Sequence, residues 1–230
     1  MSVNTGEPHV DLFPLPDSDL VFGIGTDRRH AVTHDMAVRA VGDGLVRDAV
    51  AGAVCGQMVR LAAKWGAYEQ NSLYLQQGRV CVLCSWIVAG ARDELPTRIA
   101  AMKPDDKNAG VIAAALGDPL AGVRLLEAIA ADEDLGDPLP GRFHRSQRAD
   151  LLARAAQHIP QVVVCEDCSE GSGSCADAGD PCDAALCMTC TLTAGPWAGE
   201  WEGYTLDECL VQAPCSVLHA LCSHYQIPLG

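Results

Sequence analysis

Cysteine is the residue type with the most chemistry in this sequence of 230 residues, which contains twelve of them. Two Cys-x2-Cys pairs form the clearest pattern: Cys165 with Cys168, and Cys187 with Cys190, with 18 residues between the pairs. Two residues between thiols allow one tight turn to point both sulfurs at one ion, and a second such turn completes a tetrahedron. The spacing therefore predicts a structural zinc site of the zinc-ribbon type with these four cysteines as ligands.

Cys175 and Cys182 lie between those two pairs. The resulting run of six cysteines invites comparison with two-zinc DNA-binding clusters, but the spacing after Cys182 differs and the basic residues of such clusters are missing. Three roles remain open for these two cysteines: exchange with the four predicted ligands, binding of a second ion, or pairing with each other.

A second pattern combines Cys81-x2-Cys84 with Cys55, which a glycine follows. Because a glycine lets the backbone turn around a metal ion, Cys55 suits a ligand-bearing turn. We expect a second zinc site here, of three thiolates and one imidazole, with the imidazole from His30 or His34. The alternatives are a buried apolar cysteine pair and a redox-active Cys-x2-Cys.

A third group consists of Cys209, Cys215, His219, Cys222 and His224, of which the first four could together form one site. On a helix, positions 215, 219 and 222 share one face. The group therefore fits either another site of three thiolates and one imidazole, or an apolar packing stripe.

Charge divides the chain. Acidic residues outnumber basic ones 30 to 16, but residues 20–103 carry a net charge of +3 and residues 104–230 one of −13. The last 76 residues contain ten acids and neither lysine nor arginine. This balance argues against a protein whose whole surface follows nucleic acid, because phosphate binding requires positive surface.

The strands and helices that the sequence patterns indicate predict an α+β fold. In this fold, small zinc-knuckle and ribbon-like regions with short strands flank a short helical middle. We expect four segments: a disordered tail at 1–19, an N-terminal zinc-knuckle region at 20–103, a helical region at 104–160, and an acidic cysteine-rich region at 161–230.

Within these segments, local patterns predict individual elements. Strands are expected at His30–Val41 and Ala51–Val59, with a helix over Leu45–Val54 as an alternative, and a short strand is expected at Val162–Val164. Helices are expected over Cys84–Met102 with a break at Pro96, over Lys107–Leu116, from Asp118 to Ala131, from Ser146 to Ile159, and over Ala213–Tyr225.

Parts of the chain resemble a family of uncharacterised actinobacterial and actinophage zinc-finger proteins. The residues that carry this resemblance are His30-Ala-Val, Cys55-Gly and Cys81-Val-Leu-Cys84, together with Trp197-Ala-Gly-Glu-Trp-Glu-Gly, Cys209 and Ala213-Pro-Cys215-Ser-Val-Leu. The resemblance implies zinc, a bacterial or phage cytoplasm and no assigned activity, and it favours His30 over His34 as a ligand.

No motif of a zinc protease, base deaminase, dinucleotide loop, phosphate loop or nucleophile elbow occurs. We therefore expect no enzyme, but a cytoplasmic, zinc-stabilised interaction module with two or more Zn²⁺ ions and an acidic C-terminal region that binds a basic protein.

Two other functions stay open. One is a nucleic-acid-binding transcriptional regulator that uses residues 20–160, including the basic stretch from Arg142 to Arg154. The other is an iron–sulfur redox sensor that uses the same thiolates. No apolar segment reaches the roughly 20 residues of a membrane span, so no membrane partner is expected.

Overall fold

A computed structural model describes residues 13–14, 18–26, 28–41, 45–46, 49–61, 68, 80–136, 142–164, 183–192 and 209–230. It has the predicted α+β fold. The strands are β1 (Phe13–Pro14), β2 (Leu20–Ile24), β3 (Arg29–Thr33), β4 (Leu45–Val46), β5 (Val50–Gly52), β6 (Met58–Leu61), β7 (Gln161–Val164) and β8 (Asp183–Leu186). The helices are α1 (His34–Val41), α2 (Val82–Ala91), α3 (Leu95–Ala100), α4 (Asp106–Leu116), α5 (Ala121–Ala131), α6 (Gln147–His158) and α7 (Ser216–His224), with a 3-10 turn at Glu133–Leu135.

The chain divides into two compact units. The first unit contains the described residues up to Asp93, together with 142–149; the second contains Glu94 to Gly136 and the described residues from Asp150 onward. The four segments predicted from the sequence divide the chain differently and stay a prediction. Of the predicted tail, most residues lie outside the part of the chain that the structure describes.

A four-stranded antiparallel sheet forms the centre of the first unit, in the order β3-β2-β6-β5. The sequence of β2 is almost continuously apolar, and its first four residues are buried. A strand covered on both faces needs such a run rather than an alternating pattern. Helix α2 completes this core, and its residues from Cys84 to Ala89 are all buried. The outer strands β1 and β4 pair only with each other among the described strands.

The predicted strand His30–Val41 is wrong beyond Thr33, where α1 begins. The Thr33 hydroxyl accepts a hydrogen bond from the Met36 backbone amide at 3.3 Å, which is the geometry of a helix N-cap. Ala37, one turn into the helix, is fully buried. The helical spacing of the apolar residues therefore overrides their β propensity.

The predicted strand Ala51–Val59 is interrupted in the middle. Backbone hydrogen bonds from Ala53 to Gln57 and from Gly56 to Ala53, both 2.8 Å, close a tight turn between β5 and β6. Gly56 adopts a φ of 91°, which a residue with a side chain rarely adopts. This turn carries Cys55.

The second unit has a helical part, much as predicted. Asp105 caps α4 through a 2.8 Å hydrogen bond from the Asn108 amide, and Pro96 lies at the start of α3. Helix α5 begins at Ala121 rather than at Asp118, although the Asp118 carboxylate still accepts a hydrogen bond from the Leu120 amide. Three apolar residues at helical spacing in α5 are buried (Val123, Leu126, Ile129), and Ala130 is half-buried.

A two-stranded antiparallel ribbon lies beside these helices in the second unit. Strand β7 pairs with β8 so that Gln161 is opposite Leu186 and Val164 is opposite Asp183. On its other side, β8 is bridged to Gln212, just before α7. The register brings the end of β8 next to the residues that precede β7, and this is where ligand-type side chains meet.

No single helix in the described ranges is long and apolar enough to cross a membrane. The consecutive helices α4 and α5 pass that test only as a pair, by length and composition, and the two are bent by 82°.

Replacement of Asp105 by alanine tests the start of α4. The Asn108 amide then loses its side-chain acceptor and keeps only the longer 3.1 Å bond to the Asp105 carbonyl, so we expect the free energy of unfolding to fall by about 1 kcal/mol, measured by urea denaturation. Asp105→Asn keeps an oxygen at the same place and should unfold almost as the parent protein does. Equal loss in both variants would show that charge, and not capping, stabilises this helix.

Candidate metal centres

The first group of ligand-type side chains, here called the N-terminal cluster, consists of His30, Cys55, Cys81 and Cys84. Each comes from a different position in the first unit: β3, the turn between β5 and β6, the residue before α2, and the first turn of α2. The ligand atoms all lie within 4.8 Å of one another. The structure thus brings together the three cysteines named by the second sequence pattern and one of its two candidate histidines.

Backbone hydrogen bonds fix the segments that carry these side chains. The Cys81 amide donates to the Arg29 carbonyl at 2.8 Å, and the Val54 amide donates to the Ala31 carbonyl at 2.9 Å. Residues on both sides of His30 therefore hold the cysteine-bearing segments. Because these bonds use only the main chain, they leave the imidazole and the thiols free to meet.

The distances around the His30 imidazole fit a shared ion. Its Nδ1 lies 3.3 Å from the Cys55 sulfur and 3.7 Å from the Cys84 sulfur. In a tetrahedron with Zn–S bonds of about 2.3 Å and Zn–N bonds of about 2.0–2.1 Å, nitrogen and sulfur are about 3.6 Å apart. The cluster is also shielded from water, since His30 and Cys84 are almost fully buried.

Gly25 allows the His30 ring to occupy its position. A Cβ atom at residue 25 would lie 2.8 Å from His30 Nε2 and 3.3 Å from the Arg28 carbonyl oxygen. The Gly25 amide donates to that same carbonyl at 2.8 Å, so the turn cannot easily move away. This glycine is therefore required by close approach to the ligand side chain.

Without an ion, the pKa values of Cys55 and Cys84 in the N-terminal cluster shift in opposite directions. Hydrogen bonds from the Cys81 and Cys84 thiols lower the pKa of Cys55 to about 3. The same contacts raise the pKa of Cys84 well above its usual range, and burial raises it further. A cation at the centre removes this conflict, because it stabilises all three thiolates and releases their protons.

The second group, here called the C-terminal cluster, consists of His158, Cys187, Cys190 and Cys215. His158 is the last residue of α6, and Cys187 and Cys190 form a turn after β8. Cys215 is the N-cap of α7, and its sulfur accepts a hydrogen bond from the Leu218 amide at 3.5 Å. All four ligand atoms again lie within 4.8 Å of one another.

The turn that carries the Cys-x2-Cys pair is held at both ends. The Cys190 amide donates to the Cys187 carbonyl at 3.1 Å, and the Cys187 amide donates to the Val211 carbonyl at 2.8 Å. The Thr191 hydroxyl accepts from the Val211 amide, and the Thr189 hydroxyl donates to the Gln157 carbonyl. These bonds connect the turn that carries Cys187 and Cys190 to Gln157, which precedes His158, and to Val211, which lies shortly before Cys215.

One nitrogen faces three sulfurs in the C-terminal cluster. His158 Nδ1 lies 3.4 Å from Cys187, 3.5 Å from Cys190 and 3.6 Å from Cys215. A ring nitrogen carries either one hydrogen or one lone pair, so it cannot satisfy three thiols by hydrogen bonding. Three nearly equal distances close to a tetrahedral edge are those of four ligands around one ion.

Burial shifts the pKa values of His158 and Cys187 in the C-terminal cluster. Burial lowers the pKa of the His158 imidazole, and the positive charge of Arg154 lowers it further. The neutral ring that a metal requires is therefore favoured. Burial also raises the pKa of Cys187 to about 12. The thiol must therefore lose a proton when a metal binds.

Both clusters can hold a metal ion, and both share a design. Each supplies three sulfurs and one histidine Nδ1, and each has a cysteine immediately before a helix, where the helix dipole favours negative charge. Four protein ligands fill a tetrahedral ion completely.

The ligand set around Cys187 and Cys190 differs from the one that the sequence predicts. The structure brings these two cysteines together with His158 and Cys215, whereas Cys165 and Cys168 lie outside the described residues. Metal binding by Cys165 and Cys168 stays a prediction. Other cysteines and aromatic residues singled out from the sequence also lie outside the described ranges (Cys175, Cys182, Trp197).

Sequence reasoning missed His158 altogether and offered Cys215 only for a third metal site with Cys209, His219 and Cys222, or for apolar packing. The signal that points to His158 is its position three residues before β7, whose first residue pairs with Leu186, the neighbour of Cys187. This signal appears only once the strand register is known. Cys215 precedes a helix in the same way as Cys81 does.

The remaining candidates lie apart from the two clusters. His34 begins α1 and is half-buried. On α7, Cys222 is fully buried and its pKa is raised by burial, while His219 is exposed. Cys209 is half-buried, and its carbonyl accepts a hydrogen bond from the Leu192 amide.

Comparison of the chain with protein-family models, with curated proteins and with solved structures finds no significant match. The resemblance to actinobacterial and actinophage zinc-finger proteins therefore stays a prediction.

Gly25→Ala tests the packing of the N-terminal cluster. The added methyl group pushes against His30 Nε2, so we expect metal affinity at this cluster to fall by about 10- to 100-fold, as for other losses of ligand positioning. Competition with a chromophoric chelator measures this. The control is Gly110→Ala in α4, where nothing lies within 4 Å of the new Cβ and affinity should stay constant. Unchanged affinity in Gly25→Ala would mean that the imidazole is not a ligand.

Proposed function

We propose that each cluster holds one structural zinc ion and that the protein is a non-enzymatic, zinc-stabilised interaction module. The observation that carries this proposal is the set of three Nδ1–sulfur distances of 3.4–3.6 Å around His158. Three thiolates and an imidazole are a common structural zinc set. Because all four positions come from the protein, no position is left for a substrate or an activated water.

Distances also favour one ion over an iron–sulfur cluster. Ligands bonded to one ion at about 2.0–2.3 Å lie within about 4.6 Å of each other, close to the observed limit of 4.8 Å in both clusters. A multi-iron cluster has several metal and sulfide ions between its ligands and would hold them further apart.

Bound zinc would add stability to a fold in which side-chain packing contributes comparatively little. Aromatic residues make up only 5% of the chain, and the cores consist largely of alanine, valine and leucine. Structural zinc sites in small peptides bind with an apparent free energy on the order of 10–16 kcal/mol. An ion at each cluster therefore has enough binding energy to join segments far apart in the sequence.

Native mass spectrometry with elemental analysis tests the zinc proposal. We expect two zinc ions per chain from the described clusters, and a colourless protein. His30→Asn and His158→Asn should each lose one ion, because each removes one of four ligands.

Two matched histidine variants serve as controls in the same experiment. His34→Asn and His219→Asn change histidines outside both clusters and should retain every ion. A chain that contains no metal and stays folded after exhaustive chelation would contradict the proposal, as would a brown protein containing iron.

The interaction part of the proposal is supported by charge. Sequence ranges 94–137 and 150–230, which correspond to the second unit, contain 20 acids and 5 basic residues, while ranges 1–93 and 138–149 contain 10 acids and 11 basic residues. Glu127, Glu133 and Asp134 are exposed. An acidic surface attracts basic partners over roughly the Debye length, which is about 8 Å at physiological salt.

A basic peptide is the probe for this surface. We expect a lysine-rich peptide to bind the full chain more tightly than a neutral peptide of equal length, with affinity that falls as salt rises. The double variant Glu127→Gln, Glu133→Gln should weaken binding, because it removes exposed charge from the second unit.

The matched control removes the same amount of charge from the first unit. Asp35→Asn with Asp93→Asn changes two exposed acids there and should leave peptide binding nearly unchanged. Binding that is independent of salt, or equally weakened in both double variants, would contradict an acidic docking surface.

A nucleic-acid-binding role keeps one supporting observation. Arg142, Arg145 and Arg154 are exposed, as phosphate binding requires, but Arg148 is 94% buried and does not belong to such a surface. Of the basic stretch from Arg142 to Arg154, these three exposed arginines are therefore the ones that could contact a phosphate.

A further inference from the structure

A cavity of about 530 Å³ lies in the first unit. The segment 142–144 forms one side, and the start of α1 forms another. Its volume falls in the range of small-molecule sites, which are commonly about 300–1,000 Å³. The cavity contains no residue of the N-terminal cluster.

Three nitrogen-rich side chains line this cavity: Arg142, His144 and His34. Arg142 and His144 are exposed and His34 is half-buried, so all three remain within reach of a ligand. A guanidinium group offers a fork of donors that matches phosphate oxygens, and an imidazole donates an N–H in either protonation state.

The start of helix α1 also lies at this cavity. It begins at His34 in the cavity wall, and Thr33 caps it there. The positive end of the helix dipole therefore lies beside the three nitrogen-rich side chains. Here the dipole supplements a set of side chains and does not form a site by itself.

The two acids in the wall have different roles. Asp19 is paired with Arg92 through contacts of 2.9 and 3.2 Å, so its charge is neutralised. Asp35 is exposed and is an acceptor for hydroxyl or amino groups. A ligand that fits this arrangement carries a phosphate, which accepts hydrogen bonds from the nitrogen-rich side chains. It also carries nearby hydroxyl or amino groups, which donate hydrogen bonds to Asp35.

An aromatic ring completes the lining. Phe143 is half-buried, and the Arg92 guanidinium carbon lies 5.9 Å from its ring centre. A planar base can stack on an aromatic ring or on a guanidinium group. Phosphate, hydroxyl or amino groups, and a planar ring are the three parts of a nucleotide.

We propose that this cavity binds a nucleotide, with its phosphate at Arg142, His34 and His144 and its donors at Asp35. A free nucleotide and a nucleotide of a single strand present the same chemistry. The proposal goes beyond the structural role of zinc, and neither outcome of the zinc experiments decides it.

The test uses the full-length protein as purified and the imidazole NMR signals of His34 and His144. Titration with adenosine 5′-monophosphate should shift both signals and saturate, and inorganic phosphate should bind about tenfold or more weakly. Arg142→Gln should weaken nucleotide binding at least about tenfold, the effect of losing one hydrogen-bonded charge. Arg39→Gln, an exposed arginine at the other end of α1 outside the cavity, is the control and should change affinity less than twofold.

A single-stranded oligonucleotide without a terminal phosphate distinguishes the two sources. Tighter binding than the mononucleotide assigns a strand as the ligand, and weaker binding assigns a free nucleotide. Absence of shifts at 10 mM nucleotide, equal binding of inorganic phosphate, or equal losses in Arg142→Gln and Arg39→Gln would each overturn the proposal. Far-UV circular dichroism, measured on each variant, shows that the fold is intact.

Discussion

The organisation of both units depends on one constraint, the convergence of three sulfurs on a single imidazole nitrogen. In the N-terminal cluster this convergence joins a strand, a hairpin turn and a helix start, and His30 is 54 residues away from Cys84. In the C-terminal cluster His158 is 57 residues away from Cys215. Closing such long loops costs conformational entropy. An ion at the centre of each cluster would offset this cost, because it bonds to all four ligand atoms at once.

The remaining structure serves to bring those atoms together with few bulky side chains. Strand β2 is buried along nearly its whole length, and α2 packs against the same core. Main-chain hydrogen bonds around His30 and around the Cys187 turn do the fine positioning. These bonds depend little on side-chain identity, so a sequence rich in alanine and valine can form them. Charge is then distributed independently of the clusters, with the acids concentrated in the second unit.

Local chemistry made part of this predictable from the sequence. Cys81, Cys84 and Cys55 are recognisable because a Cys-x2-Cys pair and a cysteine followed by glycine are short-range patterns. The choice between His30 and His34 depends on where β3 ends, which spacing alone does not show. His158 depends on the pairing of β7 with β8, a contact between residues about 20 apart. Helices with clear caps, such as α4 at Asp105, were predicted well because capping is also local.

The hydrogen bond from the Leu218 amide to the Cys215 sulfur has a consequence for reactivity. In a metal-bound cluster, where every sulfur is a thiolate, an N–H that points at one sulfur draws electron density away from it, so this sulfur is a poorer nucleophile than an otherwise equal one. Cys215 is also buried, whereas Cys190 in the same cluster is only half-buried. Electrophiles and oxidants that reach the C-terminal cluster will therefore attack Cys190 before Cys215, and damage will begin in the strand-end turn while the start of α7 remains intact.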